Sequence, residues 1–394
     1  MERTASLVGT LLLLSCLSVT AAAADLIWTP VSSGSGGLDI NYEEMINGGG
    51  RFVAIGRDPA GKPAIAESQD GLTWTGVFTG ATSDTLTGIA YGNGTYIAVG
   101  GTQSFLSSDG INWNAGPKFP SSVASDVAFG NGIFVVLTDC RSHCTALSST
   151  DGQTWHTQTL PSDFASTKAL GFDGTRFVSV AGVILSEADS NGLGPAPVYT
   201  SCDGTTWTNS ANIDSGSNIL LYRVVPVNGN LVVLGAEACV GQGLACADTP
   251  DTTVTYMGKD SSDLARVPLA FDSDIDIYGG FTDLVFAGGS YYAPSFDLPL
   301  VSSSDAIHWS VVGGIPTTFT PMTVATSTDR IVIAGENGEI LAASVSGGGG
   351  SAPTSAACTA LPSLGGGGSG SLGILPLIGL LGLVVARRRD LIYP

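Results

Sequence analysis

The chain has 394 residues and a formal net charge of −19 at pH 7, from 34 acidic and 15 basic side chains. Only 12% of the residues are charged, and Gly, Ser, Thr and Val are abundant, which favours an all-β protein over a helical one. The acidic surplus argues against nucleic acid or an anionic membrane surface as a partner, because both bind basic faces.

Residues 1–24 are organised like a secretory signal peptide. Arg3 supplies a positive amino end, Leu7–Leu17 an apolar core, and Ala21–Ala24 a small-residue cleavage site. The apolar run is shorter than the roughly 20 residues that a membrane-spanning helix needs. Leu13–Cys16 loosely resembles a lipoprotein cleavage site, which stays open as an alternative. We therefore expect the remaining chain to be exported.

A seven-residue box recurs in the body of the chain, residues 25–344. Each copy begins with Ser, has Asp at the third position, then Gly or Ala, and ends on Trp. We call these segments the Trp boxes; they lie at Ser68–Trp74, Ser107–Trp113, Ser149–Trp155, Ser201–Trp207 and Ser303–Trp309. Their Asp and Trp residues are Asp70, Trp74, Asp109, Trp113, Asp151, Trp155, Asp203, Trp207, Asp305 and Trp309. The double interval between the last two boxes predicts a degenerate copy, without Trp, at Tyr256–Asp263.

A second signature lies between the boxes, a Gly, Asn or Asp turn followed by an aromatic and aliphatic strand. Seven copies begin at Gly50, Gly94, Gly132, Gly174, Gly229, Gly289 and Asp329. Asn-Gly and Asp-Gly pairs favour tight hairpins, because these residues tolerate positive φ. Four short strands in every ~40–50 residues is the period of a propeller blade.

The two ends of the body predict how the ring closes. The last unit supplies three strands, near Thr323–Thr326, Arg330–Gly335 and Glu339–Ser344, whereas the first begins with a surplus strand at Asp25–Pro30. Pairing the surplus strand with the last unit would remove an open sheet edge. The sequence thus predicts a seven-bladed β-propeller closed by the N-terminal strand. A Gly/Ser-rich linker, residues 345–371, and a short apolar helix within residues 372–394 follow it.

The Trp boxes resemble the Asp-box, or BNR, repeats of sialidases, photosystem assembly factors and bacterial surface propellers. They differ in that Asp and Gly are adjacent, where the family has one residue between them. The resemblance implies a structural role, in which Asp and Ser cap a turn and Trp packs between blades. A sialidase would also need three arginines that bind the substrate carboxylate. Arg51, Arg176 and Arg330 occupy equivalent positions after hairpin turns, which we interpret as solvated turn residues.

Six cysteines remain in the expected exported chain. Two pairs lie close enough for local disulfides in an oxidising compartment, Cys140 with Cys144 and Cys239 with Cys246. Cys202 and Cys358 are left to pair with each other or to stay free. A zinc site would need more clustered ligands, and only His143 lies near a cysteine pair.

Acidic residues provide the one cofactor suggestion in the sequence, a calcium ion. Asp272, Asp274 and Asp276 alternate, so their carboxylates would share one face of an extended segment. Together with Asp283 they have part of the spacing of an EF-hand loop, although Ile277 stands where that loop has Gly. A solvated acidic loop is the simpler interpretation.

Two insertions lengthen the connection between the second and third strands of the fourth and fifth units, Ile184–Pro197 and Ala236–Thr253. Loops on a rigid scaffold commonly bind ligands, and a Cys239–Cys246 disulfide would stiffen the second one. We therefore regard the Cys239–Cys246 loop as a candidate binding loop, with a neutral surface insertion as the alternative.

The C-terminal region combines a Gly-rich linker, the apolar segment Leu372–Ala386 and the basic segment Arg387–Arg389. From Gly365 onward this order resembles the GlyGly-CTERM sorting signal of Gram-negative bacteria. The resemblance implies cleavage by a rhomboid-type sorting protease and transfer to the cell surface. An uncleaved membrane anchor is the alternative. In both cases the body lies outside the cytoplasm and contacts the membrane only through the tail.

No catalytic motif is evident in the sequence. The leading hypothesis is a non-catalytic cell-surface or secreted propeller that binds a protein or glycan. One alternative is an extracellular glycosidase, which would need two carboxylates about 5–10 Å apart near the channel. Another is an assembly factor for an envelope complex.

Overall fold

The computed structural model describes residues 26–33, 39–81, 85–119, 123–138, 145–160, 164, 169–180, 196–213, 219–237, 252–272, 280–296, 298–345 and 358. These residues form seven sheets, which are the blades of the propeller. No helix among them is long and apolar enough to cross a membrane. The expected signal peptide and the expected apolar tail lie outside the described residues.

The strands follow one another regularly along the chain. The first ten are β1 (Thr29–Pro30), β2 (Ser32–Ser33), β3 (Asn41–Gly48), β4 (Arg51–Arg57), β5 (Pro63–Ser68), β6 (Thr73–Thr79), β7 (Gly88–Gly92), β8 (Thr95–Gly100), β9 (Gln103–Ser107) and β10 (Asn114–Lys118). The next ten are β11 (Ala124–Gly130), β12 (Ile133–Thr138), β13 (Thr145–Ser149), β14 (His156–Thr159), β15 (Ala169–Phe172), β16 (Phe177–Val180), β17 (Ala196–Ser201), β18 (Thr208–Ile213), β19 (Ile219–Val227) and β20 (Asn230–Glu237). The last ten are β21 (Thr252–Gly258), β22 (Ala265–Arg266), β23 (Ala270–Phe271), β24 (Val285–Ala287), β25 (Ser290–Ser295), β26 (Leu298–Ser303), β27 (His308–Val311), β28 (Pro321–Thr326), β29 (Arg330–Gly335) and β30 (Ile340–Ser344).

Each blade is an antiparallel meander whose strands pair in chain order. Blades 1 to 7 begin with the strands β3, β7, β11, β15, β19, β24 and β28, and each of these lies at one edge of its sheet. The first strands of neighbouring blades lie against one another, as β28 with β3 and β3 with β7 do. These strands therefore line the central channel, as in propellers generally.

The N-terminal segment closes the ring. β1 pairs antiparallel with β30 of blade 7, and β2 pairs parallel with β6 of blade 1. The predicted closure is therefore confirmed, and the same short segment also joins the first blade to the last. Blade 6 has a similar fifth strand, because β23 pairs parallel with β27. Neither of these two extra strands was predicted.

The hydrophobic core lies between the blades rather than within them. Val53, Ile55 and Ile65 of blade 1, for example, share one buried cluster with Ile89 and Phe105 of blade 2. Alternation along each strand sends apolar side chains to both faces of the sheet, so every blade is covered by its two neighbours. Blades 1 and 7 each have one face without a neighbour until the ring closes, and closure buries these two faces against each other.

The propeller has two distinct faces. The hairpins between the first and second strands lie beside the Trp boxes. For example, the side-chain amide of Asn93, in the hairpin of blade 2, donates to Thr150 O in the box of blade 3. We call this side the Trp-box face. The opposite face carries the connections between the second and third strands, including Asp58–Lys62 and the 3-10 helix Glu336–Gly338.

Candidate functional site

The Trp boxes are hydrogen-bonded turns between the third and fourth strands of their blades. In the first box one carboxylate oxygen of Asp70 accepts the amide N–H groups of Leu72 and Thr73 at 2.8 Å, and the indole N–H of Trp74 donates to Gly71 O at 3.2 Å. The other four boxes repeat this pattern around Asp109, Asp151, Asp203 and Asp305. Each box aspartate therefore completes a turn of its own chain.

These donors keep the box carboxylates ionised. Backbone N–H donation from Asn112, together with its side-chain amide, lowers the pKa of Asp109 well below its usual range. Backbone N–H donation from Thr154 and Gln153 lowers the pKa of Asp151 in the same way. The donors stabilise the charged form of the carboxylate, which is the physical cause of both shifts.

The degenerate box of blade 5 lies where the spacing predicts it. Asp260 follows β21 and accepts the amide N–H of Ser262 at 2.7 Å, as a box aspartate does. Register places Leu264 at the Trp position, and Leu264 packs against the core shared by blades 4 and 5. The degenerate copy predicted from the sequence ended at Asp263 and did not include Leu264. A single apolar side chain at that position does not distinguish a box from any other strand.

Asparagines of the hairpin turns join neighbouring blades on the Trp-box face. The side-chain amide of Asn93 donates to Gly132 O and Thr150 O of blade 3, and that of Asn131 donates to Thr175 O and Cys202 O of blade 4. Each bond crosses from one blade to the next, so these turn residues also hold the ring together.

The arginines at the hairpins are largely buried, not solvated as expected from the sequence. Side-chain exposure is 18% for Arg51, 11% for Arg176 and 18% for Arg330. Each has an acidic neighbour, respectively Glu67, Asp173 and Asp329. The three arginines occupy the same position of the repeat, directly after the first hairpin turn, on three separate blades. Each guanidinium pairs with an acidic residue of its own blade.

A ring of equivalent positions surrounds the central channel, and sequence reasoning missed it. Each blade has a hairpin turn between its first and second strands, and the ring position lies seven residues before the residue that follows this turn. It falls within the first strand of most blades, at the start of that strand in blade 2 and just before it in blade 6. The seven residues, in blade order, are Glu44, Gly88, Asp126, Ala169, Arg223, Asp283 and Thr323. We call them the channel ring. In blades 1, 3, 5 and 7 the pairing of the first strand with the second has a β-bulge, with one unpaired residue just before the ring position.

Three carboxylates of the channel ring each bind the following blade. Glu44 accepts the amide N–H of Ile89 at 2.9 Å, and Asp126 accepts that of Leu170 at 3.2 Å. Asp283 accepts the amide N–H of Val324 at 3.1 Å and the Thr323 hydroxyl at 2.8 Å. Gly88 makes room for this arrangement, because a Cβ there would lie 2.9 Å from Asp126 Oδ1.

Arg223 links distant blades through the channel ring. Its Nη2 donates to Glu44 Oε1 of blade 1 at 2.8 Å, and its Nε donates to Asp283 Oδ1 of blade 6 at 3.0 Å. Blades 6 and 7 separate blade 5 from blade 1, so the side chain reaches across the channel. Its side chain is 23% exposed, against 11% for Glu44 and 5% for Asp283.

Burial dominates the electrostatics of the channel ring. Burial raises the pKa of Glu44, although Arg223 opposes the shift. Burial and the charge of Glu44 raise the pKa of Asp126 well above its usual value. Burial lowers the pKa of Arg223, but Asp283 and Glu44 outweigh it, so the net direction is upward and the guanidinium stays charged.

The structure separates the residues of the suggested calcium site. Asp283 is buried in the channel ring, and its two oxygens accept bonds from Arg223, Leu284, Thr323 and Val324. Asp272 is exposed and follows β23, at the outer edge of the same blade. Asp274 and Asp276 lie outside the described residues. No cluster of three metal-binding side chains occurs in the described part of the chain, and calcium binding by the remaining aspartates stays a prediction.

Cys202 and Cys358 form a disulfide, with a Cα–Cα distance of 5.8 Å. The sequence left this pairing open, because 156 residues separate the two cysteines. Cys140, Cys144, Cys239 and Cys246 lie outside the described residues, as does most of each predicted insertion.

The comparison with solved structures supports the propeller fold. No family model and no curated protein matches the chain. Among solved structures, 828 chains match. YCF48 bound to D1 peptide matches with a TM-score of 0.55 and 15% identity, over 82% of this chain and 97% of that chain. The WD40 domain of Neurospora crassa Pan2 matches with a TM-score of 0.54 and 8% identity, over 82% and 96%. Blade count, closure and these likenesses together define the chain as a seven-bladed β-propeller protein.

Proposed function

We propose that this chain is a non-catalytic, exported binding protein whose propeller recognises a protein or glycan partner. The observation that carries the proposal is the channel ring. Glu44, Asp126 and Asp283 use their carboxylates to hold neighbouring blades, and Arg223 extends across the space where a propeller enzyme would bind its substrate. The chemistry-bearing residues at the centre thus support the scaffold, which leaves recognition to the surface.

A protein ligand has the stronger support of the two ligand classes. The structure of YCF48 with D1 peptide shows that a propeller of this overall fold holds a peptide. A shared fold alone does not mean that two propellers bind the same ligand. It does make a peptide segment of a partner protein the first ligand to test.

Export and surface attachment remain part of the proposal. They are supported by the signal-like residues 1–24 and by the order of the tail from Gly365 to Arg389. The Cys202–Cys358 disulfide is consistent with an oxidising compartment, because structural disulfides are rare in the cytosol.

A glycosidase is the second candidate, and one observation favours it. Glu44 and Asp283 contact the same guanidinium, at 2.8 and 3.0 Å, so two carboxylates converge at the channel as that reaction requires. Against it, both oxygens of each carboxylate already accept bonds from protein donors. A sugar would have to displace the contacts that close the ring.

One experiment separates the two candidates. The purified chain is applied to a glycan array, and the same glycans are assayed for released reducing sugar. In parallel, the chain is cross-linked on intact cells, and any partner found is purified and its affinity measured. Saturable binding without sugar release supports the proposal. Sugar release that Glu44→Gln abolishes, and that the surface variant Arg57→Ala retains, would overturn it.

A further inference from the structure

Blades 2 and 3 show how a hairpin asparagine fills the contact between two neighbouring blades, which we call a seam. The side-chain amide of Asn93 donates to Gly132 O at 2.9 Å and to Thr150 O at 3.1 Å. The first acceptor lies in the hairpin of blade 3, and the second directly precedes the box aspartate of that blade. Asn131 repeats both bonds one blade further on. One carboxamide thus bridges two backbone carbonyls of the following blade.

The hairpin of blade 7 lacks this asparagine. Strand register and box position place Thr328 where the asparagine stands, and they place Gly50 and Gln69 of blade 1 where the two acceptors stand. In the part of the chain that the structure describes, neither carbonyl accepts a side-chain amide. The seam between blades 1 and 2 lacks the asparagine too, but there the hydroxyl of Tyr96 donates to Gly48 O.

An open cleft of about 570 Å³ lies at the seam between blades 7 and 1, on the Trp-box face. This volume is within the range of ligand-binding clefts. The residues that matter for recognition among those lining it are Gly50, Gln69, Asp70, Thr328, Asp329 and Arg330. The cleft therefore contains both carbonyls that an asparagine would have bridged.

Asp70 adds a carboxylate oxygen to the cleft. One of its oxygens accepts the backbone bonds of the box, as in the other boxes. In blades 2, 4 and 6 the second oxygen of the box aspartate also has a side-chain partner, respectively Asn112, Thr206 and His308. No described residue donates to the second oxygen of Asp70. Burial raises the pKa of Asp70, but the backbone donors of the box outweigh burial, so the pKa lies below its usual value and the carboxylate stays charged.

Arg330 is the one basic side chain that lines the cleft. Its stem packs against Gly71, where a Cβ would come within 2.8 Å of Arg330 Cδ, and its side chain is only 18% exposed. Its Nη2 lies 3.9 Å from Oδ2 of Asp329, whose side chain is 72% exposed. The carboxylates of Asp70 and Asp329 thus outnumber the single guanidinium, and the cleft has a net negative charge.

We propose that the cleft between blades 7 and 1 binds an arginine side chain of a partner protein. A guanidinium has planar N–H donors, like the carboxamide of asparagine, and adds a positive charge. Its donors would bond Gly50 O and Gln69 O, and its charge would be balanced by Asp70 and Asp329. A lysine ammonium lacks the planar arrangement, and a neutral amide lacks the charge. The inference rests on the protein-binding function proposed above and names the side chain by which a partner is held.

Binding of a single arginine side chain can be measured by NMR on the isotope-labelled full chain. The probe is N-acetyl-arginine methylamide. The matched control probe is its citrulline analogue, which keeps the terminal NH₂ group but has no charge. The signals to follow are the backbone amides of Arg51 and Asp70, because they share peptide groups with the carbonyls of Gly50 and Gln69.

We expect the arginine probe to shift the Arg51 and Asp70 signals saturably. The amides of Ile133 and Asp151 are the internal reference and should not shift, because Asn93 already occupies the carbonyls beside them. The citrulline probe should bind at least threefold more weakly. Absence of shifts at Arg51 and Asp70, equal shifts at the reference amides, or equal affinity for the two probes would overturn the proposal.

Thr328 offers a pair of matched variants. Thr328→Asn supplies the missing carboxamide, and asparagine tolerates the positive φ that Asn93 adopts. It should shift the Arg51 and Asp70 signals without any probe and weaken arginine binding at least fivefold. Thr328→Val keeps the shape of threonine, has no donor, and should bind the probe within twofold of the parent. Unchanged signals or undiminished binding in Thr328→Asn would overturn the proposal. No partner protein is used, so failure here is distinct from failure of the proposed binding function.

Discussion

Arg223 of blade 5 and Glu44 of blade 1 are 179 residues apart in sequence, yet they form a 2.8 Å ion pair across the central channel. The same guanidinium binds Asp283, so three blades meet at one side chain. Because Glu44 is buried, loss of its cationic partner would cost the folded state far more than the loss of a partner costs at a surface carboxylate.

Removal of Arg223 should therefore be strongly destabilising. In Arg223→Met, Glu44 and Asp283 would remain buried without their cation, and we expect the free energy of unfolding to fall by about 3–5 kcal/mol. Urea unfolding followed by tryptophan fluorescence measures the change. The exposed Arg57→Ala is the matched control and should stay within about 0.5 kcal/mol of the parent. A loss below about 1 kcal/mol for Arg223→Met would show that the ion pair contributes little to ring closure.

Asp126 should make the stability depend on pH. Its raised folded pKa means that the acid is favoured in the folded state, so its contribution is complete below the unfolded pKa, about 4. That contribution is lost as the pH rises through the folded pKa. We expect the stability advantage of the parent over Asp126→Asn to shrink between pH 4.5 and 8, measured by urea unfolding. A difference between the parent and Asp126→Asn that stays constant over this pH range would contradict the assignment.

The Trp boxes should contribute to stability in proportion to the burial of their tryptophans. Trp74 is fully buried, whereas Trp155 is only partly buried. We expect Trp74→Ala to lower the free energy of unfolding by about 3–5 kcal/mol, and Trp155→Ala by less than half as much. Thermal unfolding by circular dichroism gives the ranking. Equal losses would mean that the turn, rather than packing of the indole, determines what a box contributes.

The hydrogen bonds of a box can be tested separately at Asp109. Asp109→Ala leaves the amide groups of Ile111 and Asn112 without their acceptor and should lower the midpoint of urea unfolding relative to the parent. Asp109→Asn keeps one acceptor oxygen and should lose less. The comparison uses the same unfolding assay, and an asparagine variant as unstable as the alanine variant would point to the charge instead.

The Cys202–Cys358 disulfide should stabilise the closed ring. It links the segment after blade 7 to blade 4 and encloses blades 5 to 7, a sequence separation of 156 residues. Cys358→Ser should lower the free energy of unfolding by about 2–5 kcal/mol, mainly because the unfolded chain gains freedom. Reduction with dithiothreitol should destabilise the parent more than it destabilises Cys358→Ser, in which only the two predicted local disulfides are left to reduce. A larger effect of reductant on the variant than on the parent would show that other disulfides dominate.

Local chemistry made the blades predictable from the sequence. A box such as Ser68–Trp74 forms its turn from hydrogen bonds between residues two or three apart, and Asn93 with Gly94 adopts the positive φ of a tight hairpin. Such interactions depend on a few neighbouring residues, so repetition along the chain reveals them. Counting the repeats, and noting the missing strand in the last unit, was then enough to predict seven blades and their closure.

The channel ring and the disulfide were decided only by the tertiary structure. Glu44, Asp126, Arg223 and Asp283 differ in residue type and therefore do not resemble a repeat, although each precedes its hairpin by the same number of residues. Aligning the repeats on the hairpin turns would have shown the shared position, but not which charges meet. Cys202 and Cys358 likewise come together only when the ring closes. Pairings across the channel depend on the order and closure of all seven blades, because distances between remote residues are set by the whole fold and not by any local segment.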